Sequence, residues 1–155
     1  MKIAIAGYGV VGRGTHELLL MNRDKIAARA GDEIEVKYVL DPKPLEGTPA
    51  ERLRASGIEE ILADPEVKLL VEAIGGVGPA YEYVKAALES GRSVVTPNKQ
   101  LVAEKGAELL AIAREKNVGF LFEASVAGGT PVLHPISQCL WANDLDLAAG
   151  ILNGT

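Results

Sequence analysis

The chain has 155 residues, 48% of them hydrophobic and 24% charged, and its 16 Lys and Arg against 21 Asp and Glu leave a net charge of −5. That is enough chain for one globular domain with its own core; it excludes collagen-like and disordered classes, and a pI near 5.1 without a basic stripe speaks against nucleic acid or anionic lipid, which are bound by neutralising phosphates. No apolar run nears the ~18 residues of a membrane span, Gly7 comes too early for a signal-peptide core, and one cysteine with two histidines offers neither a disulfide nor a zinc cluster, so a soluble, cytoplasmic protein is expected.

Lys2–Ala6 reads as a buried strand of small and β-branched residues, ended by Gly7. A helix follows at once, with Val11, Thr15, Leu18, Leu19 and Asn22 on its inner face, and its pattern continues through Ile26 to Gly31. Ile34–Leu40 is the second strand, stopped by the turn pair Asp41-Pro42. Residues 42–54 read as a loop with at most a turn of helix, and Ile58–Ala63 as a short helix. Val67–Ile74 is the third strand, closed by Gly75 and Gly76. Then come a helix over Pro79–Ser90, a strand over Ser93–Thr96, a helix over Asn98–Lys116 and a strand over Val118–Glu123. This β-α alternation, with the continuous apolar runs Leu69-Leu70-Val71 and Phe120-Leu121-Phe122, predicts an α/β fold built on a Rossmann-type, doubly wound parallel sheet covered by helices. After Glu123 the rhythm changes to a small-residue loop, Ala124–Thr130, a helix over Pro131–Leu140 and a strand over Leu145–Leu152.

Gly7-Tyr8-Gly9-Val10-Val11-Gly12 fits G-x-G-x-x-G, placed after a strand and at the opening of a helix. Gly7 permits the tight turn, Gly9 lets backbone approach a pyrophosphate, and Gly12 lets helix and strand pack closely. The helix N-terminus adds bare N–H groups and roughly half a positive charge. The acid that holds the adenosine ribose should end the second strand, and Asp41 does so, 29 residues past Gly12. A carboxylate there accepts from the ribose 2′-OH and repels a 2′-phosphate, which favours NAD over NADP; Lys43 pulls the other way, and Asp41 as a plain turn residue is the competing reading. Lys99, in Thr96-Pro97-Asn98-Lys99, falls at the carboxyl end of the sheet, where open α/β sheets bind ligands. Glu123 before a carbonyl-rich loop suits a hard, oxygen-seeking cation, although composition alone fits an ordinary turn. His16 and His134 read as surface or satisfied core histidines, and Cys139 as buried packing.

Four segments then carry a resemblance: Val71-Glu72-Ala73-Ile74-Gly75-Gly76, Val94-Val95-Thr96-Pro97-Asn98-Lys99, Phe122 through Pro131, and Gly150-Ile151-Leu152-Asn153-Gly154-Thr155. In this order they resemble the amino-terminal part of homoserine dehydrogenase. The resemblance implies an enzyme interconverting L-homoserine and L-aspartate 4-semialdehyde with a nicotinamide cofactor, on the route to threonine, methionine and isoleucine. It implies that Tyr8 through Gly12 line the pyrophosphate, that Gly75 lies near the cofactor, and that Lys99 is a cofactor-contacting lysine. It also implies a sodium ion on the Glu123 side chain and the backbone carbonyls of Val126, Gly128 and Thr130. Many relatives carry an arginine after the second strand where this chain has Asp41-Pro42, which weighs against NADP. The resemblance further implies a dinucleotide-binding domain over 1–130, with 131–155 the start of a substrate and dimerisation domain that is cut short. The catalytic residues are then absent from this chain, and the full-length protein is a homodimer. A second reading stays open: a protein that binds NAD without turnover, as a sensor or regulatory subunit.

Overall fold

The computed structural model describes residues 1–150. Its strands fall on the apolar runs: β1 Lys2–Ala6, β2 Glu35–Leu40, β3 Val67–Glu72, β4 Ser93–Val95 and β5 Phe120–Leu121. The helices that connect them are α1 Val10–Met21, α2 Arg23–Ala30, α3 Ile58–Ala63, α4 Gly78–Glu89 and α5 Lys99–Glu115. The sheet order is β2-β1-β3-β4-β5, with every pair parallel. From β1 the chain goes out to β2, then crosses to the far side of β1 for β3. That reversal opens a crevice at the carboxyl ends of β1 and β3, the place where sheets of this kind take ligands.

Alternate side chains of each strand point to opposite faces, so the sheet feeds two apolar layers. Ala4, Ala6, Leu70 and Val94 pack with Ile61 of α3, Val84 and Leu88 of α4, and Leu101 and Leu109 of α5. Ile3, Ile5, Val36, Val39 and Val71 pack on the other side with Leu45, Ala50 and Leu19. The doubly wound parallel sheet expected from the sequence is the observed fold.

Three expectations are corrected. The single long helix after β1 is two helices, broken at Asn22, whose backbone N–H and Nδ2 both donate to Leu18 O, at 3.1 and 3.2 Å. Its buried residues are Gly12 and His16, with Leu19 partly buried, while Val11 and Leu18 face outward. Close packing of Gly12 under the β1 turn decides which side of α1 faces in, and outranks the apolar count. The third correction lies beyond β5. The helix expected over Pro131–Leu140 is present but shorter, over 133–139, and it is wound wide at Pro135–Cys139. Residues 145–150 make no strand pairing, and Ile151 and Leu152 of the expected strand lie outside the described residues. Cys139 is exposed, against the expectation of packing. Val132, Leu133 and Ile136 are half-buried, but residues 137–150 are exposed, and a short helix or lone strand gains little stability without a covering surface.

Candidate dinucleotide-binding site

The β1–α1 turn is held by two glycines that cannot carry a side chain. Gly7 has φ +93°, and a Cβ there would lie 2.5 Å from the carbonyl carbon and oxygen of Ala73, where the chain leaves β3. A Cβ on Gly12 would lie 1.9 Å from Gly7 O. Around the Cβ position of Gly9, by contrast, nothing lies within 4 Å, so this glycine keeps open the space that backbone contact with a ligand requires. Helix α1 starts after Gly9 with no side-chain cap and no acidic residue in its first turn. Its leading N–H groups therefore face outward with the positive end of the helix dipole, a ready site for phosphate oxygens.

Tyr8 anchors this turn twice. Its backbone N–H donates to Asp41 Oδ2 at 2.5 Å, and its hydroxyl meets Nδ1 of the buried His16 at 2.8 Å. Burial pushes His16 below the ordinary imidazole value, with Glu17 acting the other way, and burial followed by the Glu17 charge pushes the Tyr8 phenol up. Both shifts favour the uncharged forms, a protonated phenol beside a neutral imidazole. The other oxygen of Asp41 accepts the Lys43 N–H at 2.8 Å. Asp41 is a turn residue and also a neighbour of the glycine loop. Two of its roughly four lone-pair positions are taken, which leaves acceptor capacity for hydroxyls.

A cavity of about 600 Å³ opens at this edge of the sheet. Of the expected residues, Gly7, Gly9 and Asp41 line it, together with Lys43; Tyr8, Val10, Val11 and Gly12 belong to the same turn without lining it. Sequence reasoning missed Arg54, Ser56, Ile74 and Tyr83 in its wall. Arg54 arrives because the irregular stretch after β2 folds back, with Arg54 bridging to Val39 and its Nη1 donating to Lys43 O at 3.0 Å. No spacing marks such a residue. Pro79 and Tyr83 come from the start of α4, which follows the Gly75-Gly76 loop.

Beyond β3 the same edge carries a polar network that the sequence also did not announce. Glu72, 0% exposed at the end of β3, accepts from the Ile74 N–H at 2.7 Å, the Gly75 N–H at 3.2 Å and the Thr96 hydroxyl at 2.5 Å. Thr96 Oγ1 accepts the Asn98 N–H at 3.0 Å, and Asn98 Nδ2 donates to Gly76 O at 2.7 Å. Asn98 also caps α5 by accepting the Leu101 N–H at 3.1 Å, which sets Lys99 as the first residue of that helix. The visible signal was an acid closing an otherwise apolar strand. Lys99 is exposed at this edge and is not part of the cavity wall.

Glu123 opens the turn after β5, and its carboxylate accepts the N–H groups of Val132 at 2.5 Å, Leu133 at 2.9 Å and His134 at 2.8 Å. Burial pushes this carboxyl up, but the donors from Val132, His134 and Leu133 outweigh it and hold it below the usual range. One lone-pair position of roughly four remains. Val126, Gly128 and Thr130 lie in the loop between Glu123 and the residues whose amides it accepts. No group of three or more His, Cys, Asp and Glu suited to a metal occurs among the described residues, and no helix there is long and apolar enough to cross a membrane.

Comparison with known proteins gives one consistent answer. The family model for the homoserine dehydrogenase NAD-binding domain matches residues 7–123. Homoserine dehydrogenases of Pseudomonas aeruginosa and Lactococcus lactis are 45% and 38% identical to this chain, over all of it and over 36% and 37% of their own lengths. The crystal structure of a homoserine dehydrogenase from Thiobacillus denitrificans superposes with TM-score 0.83 at 38% identity, over 92% of this chain and 34% of that one. A hyperthermophilic archaeal homoserine dehydrogenase in complex with NADPH gives TM-score 0.69 at 27% identity, over 88% and 48%. The chain spans about a third of the length of the curated relatives it matches.

Proposed function

The chain belongs to the homoserine dehydrogenase family as its NAD-binding domain, and from this premise we propose that it holds a nicotinamide dinucleotide across the carboxyl edge of its sheet. The observation that carries the reading is the cavity of about 600 Å³ with the glycine turn and Asp41 in its wall. The amides of Tyr8 through Gly12 would hold the pyrophosphate, and Asp41 would accept from the adenosine ribose. Gly75 and Lys99 would lie on the nicotinamide side. Such a cofactor, when bound, supplies the hydride. What this chain's residues contribute is charge complementarity to the phosphates, a fixed ribose and a nicotinamide face held in register.

Asp41 favours NAD, while Lys43 and Arg54 in the same wall offer cations to a 2′-phosphate. Since the Asp41 carboxylate lies against the loop itself, NAD is the preferred form. Sodium is proposed at Glu123 with the carbonyls of Val126, Gly128 and Thr130; a cation there would tie the turn after β5 to the residues that follow. We further assign 1–130 to the dinucleotide domain and 131–155 to the start of a substrate and dimerisation domain. The whole protein would interconvert L-homoserine and L-aspartate 4-semialdehyde as a homodimer, and this chain alone would bind cofactor without turnover.

Calorimetric titration of the chain with NAD, NADH and NADP tests the reading. Saturable binding of at least one form is expected, and absence of heat with all of them would sink it. Oxidation of homoserine by the isolated chain at the rate of a full-length relative would overturn the proposal that its turnover needs more protein.

A further inference from the structure

We infer that Glu72 is a positioning residue for the nicotinamide half of the cofactor, acting by locking the loop after β3 to the turn after β4. This rests on the dinucleotide reading. With the pyrophosphate at the β1–α1 turn and the adenosine over Asp41 at the end of β2, the sheet order β2-β1-β3-β4 leaves only one direction for the other half. It extends over the ends of β3 and β4, across Gly75-Gly76 and Thr96–Lys99.

Those two segments are joined by one buried carboxylate. Glu72 Oε1 takes both loop amides, Ile74 and Gly75, and Oε2 takes the Thr96 hydroxyl. Asn98, fixed by Thr96, then returns to Gly76 O. The circuit therefore closes on both sides of the path the nicotinamide must follow. Gly75 and Gly76 sit at φ +83° and +68°, a backbone geometry that needs external bonds to be unique. A buried acid with only donors around it is a costly arrangement unless every donor is fixed, and here each donor belongs to one of the two segments. An apolar side chain would fill the same space without linking anything. Glutamine is an imperfect substitute: with its oxygen on the two loop amides, its NH2 must donate to the Thr96 hydroxyl, which also accepts from Asn98 N–H, so the Thr96 O–H loses its carboxylate acceptor and the lock loses a charge-assisted bond.

The test compares NAD with ADP-ribose, which keeps every contact except those of the nicotinamide, by calorimetry on the full chain and on Glu72→Gln, Thr96→Val and Thr96→Ser. The unmodified chain is expected to bind NAD more tightly. Losing one charge-assisted bond in the lock should cut NAD affinity about tenfold in Glu72→Gln and Thr96→Val while ADP-ribose affinity changes less than about twofold. Thr96→Ser, which keeps the hydroxyl, should restore the difference. Equal losses for both ligands, no loss in either variant, or an unmodified chain without preference for NAD would each overturn the assignment. Should Glu72→Gln fail to fold, the Thr96→Val and Thr96→Ser pair decides alone. An unmodified chain that binds neither ligand would instead overturn the dinucleotide reading on which this one stands.

Discussion

Leu70 on β3 and Leu147 near the end of the described chain are the same side chain in opposite surroundings, the first 0% and the second 81% exposed. Around Leu70 the sheet offers neighbours from α3, α4 and β4 on one layer. Around Leu147 the chain passes Leu140, Trp141 and Leu145, all exposed. Apolar content is similar in both stretches, but a pattern becomes structure only where a second surface covers it.

Truncation shows the contrast most strongly. Leu70→Ala should cost about 3 kcal/mol, within the range for buried leucines, whereas Leu147→Ala should stay within about 0.5 kcal/mol. Urea unfolding of both variants measures this. A loss at Leu147 comparable to that at Leu70 would mean that the last segment has a packing partner in solution.

Within the sheet and its helices the glycine turn should separate stability from binding. Gly12→Ala forces a methyl onto Gly7 O and should destabilise by about 2 kcal/mol through overpacking. Gly9→Ala meets no neighbour, so its melting temperature should hardly move, while its NAD affinity should fall at least about tenfold as the methyl enters the space for phosphate. If Gly9→Ala binds NAD normally, the pyrophosphate does not rest on this turn.

That difference also marks what could be read from residues alone. The strand positions, the helix order and the glycine turn follow from local pattern, because β1, β3 and α5 each bury what their own sequence makes apolar. Asp41 was legible as the residue that ends a strand. Arg54, Tyr83 and the Glu72–Thr96–Asn98 circuit were not, because each depends on which strands become neighbours, and no spacing encodes the crossover from β2 to β3. Of the elements expected after Thr130, the helix is present in shortened form and the strand has no pairing over 145–150, because an apolar run becomes a strand only beside another strand. His16 shows the same limit in α1: its burial follows from how Gly12 docks, and the apolar residues beside it face solvent instead.

Asp41 offers a finer test of the binding edge. Its removal takes away an acceptor for the 2′-OH and an opponent of the 2′-phosphate, leaving Lys43 and Arg54 in the wall. Asp41→Ala should therefore shift the ratio of NAD to NADP affinity toward NADP by about tenfold, the scale of one charge-assisted hydrogen bond. Lys43→Ala should shift it the other way by less. Paired titrations give both ratios, and an unchanged ratio in Asp41→Ala would reduce this residue to its turn role.

The smallest effect concerns protons. His16 is 3% exposed and its folded value lies below its ordinary 6.5, chiefly through burial, with Glu17 opposing. The unfolded chain then binds a proton at higher pH than the folded one does, so stability rises with pH across that interval. The contribution is complete above about pH 6.5 and is lost as pH falls through the folded value. Protonation makes Nδ1 a donor, so the Tyr8 hydroxyl must then accept from it and turn its own proton elsewhere. The backbone of Tyr8 carries the bond to Asp41, so the glycine turn should loosen with the imidazole charge. Acidification from pH 7.5 to 5.5 should lower both the unfolding free energy and NAD affinity, and His16→Gln should flatten that dependence in both. A slope that survives the substitution unchanged would place the titrating group elsewhere, and leave the Tyr8–His16 pair as packing beneath a turn held by its glycines alone.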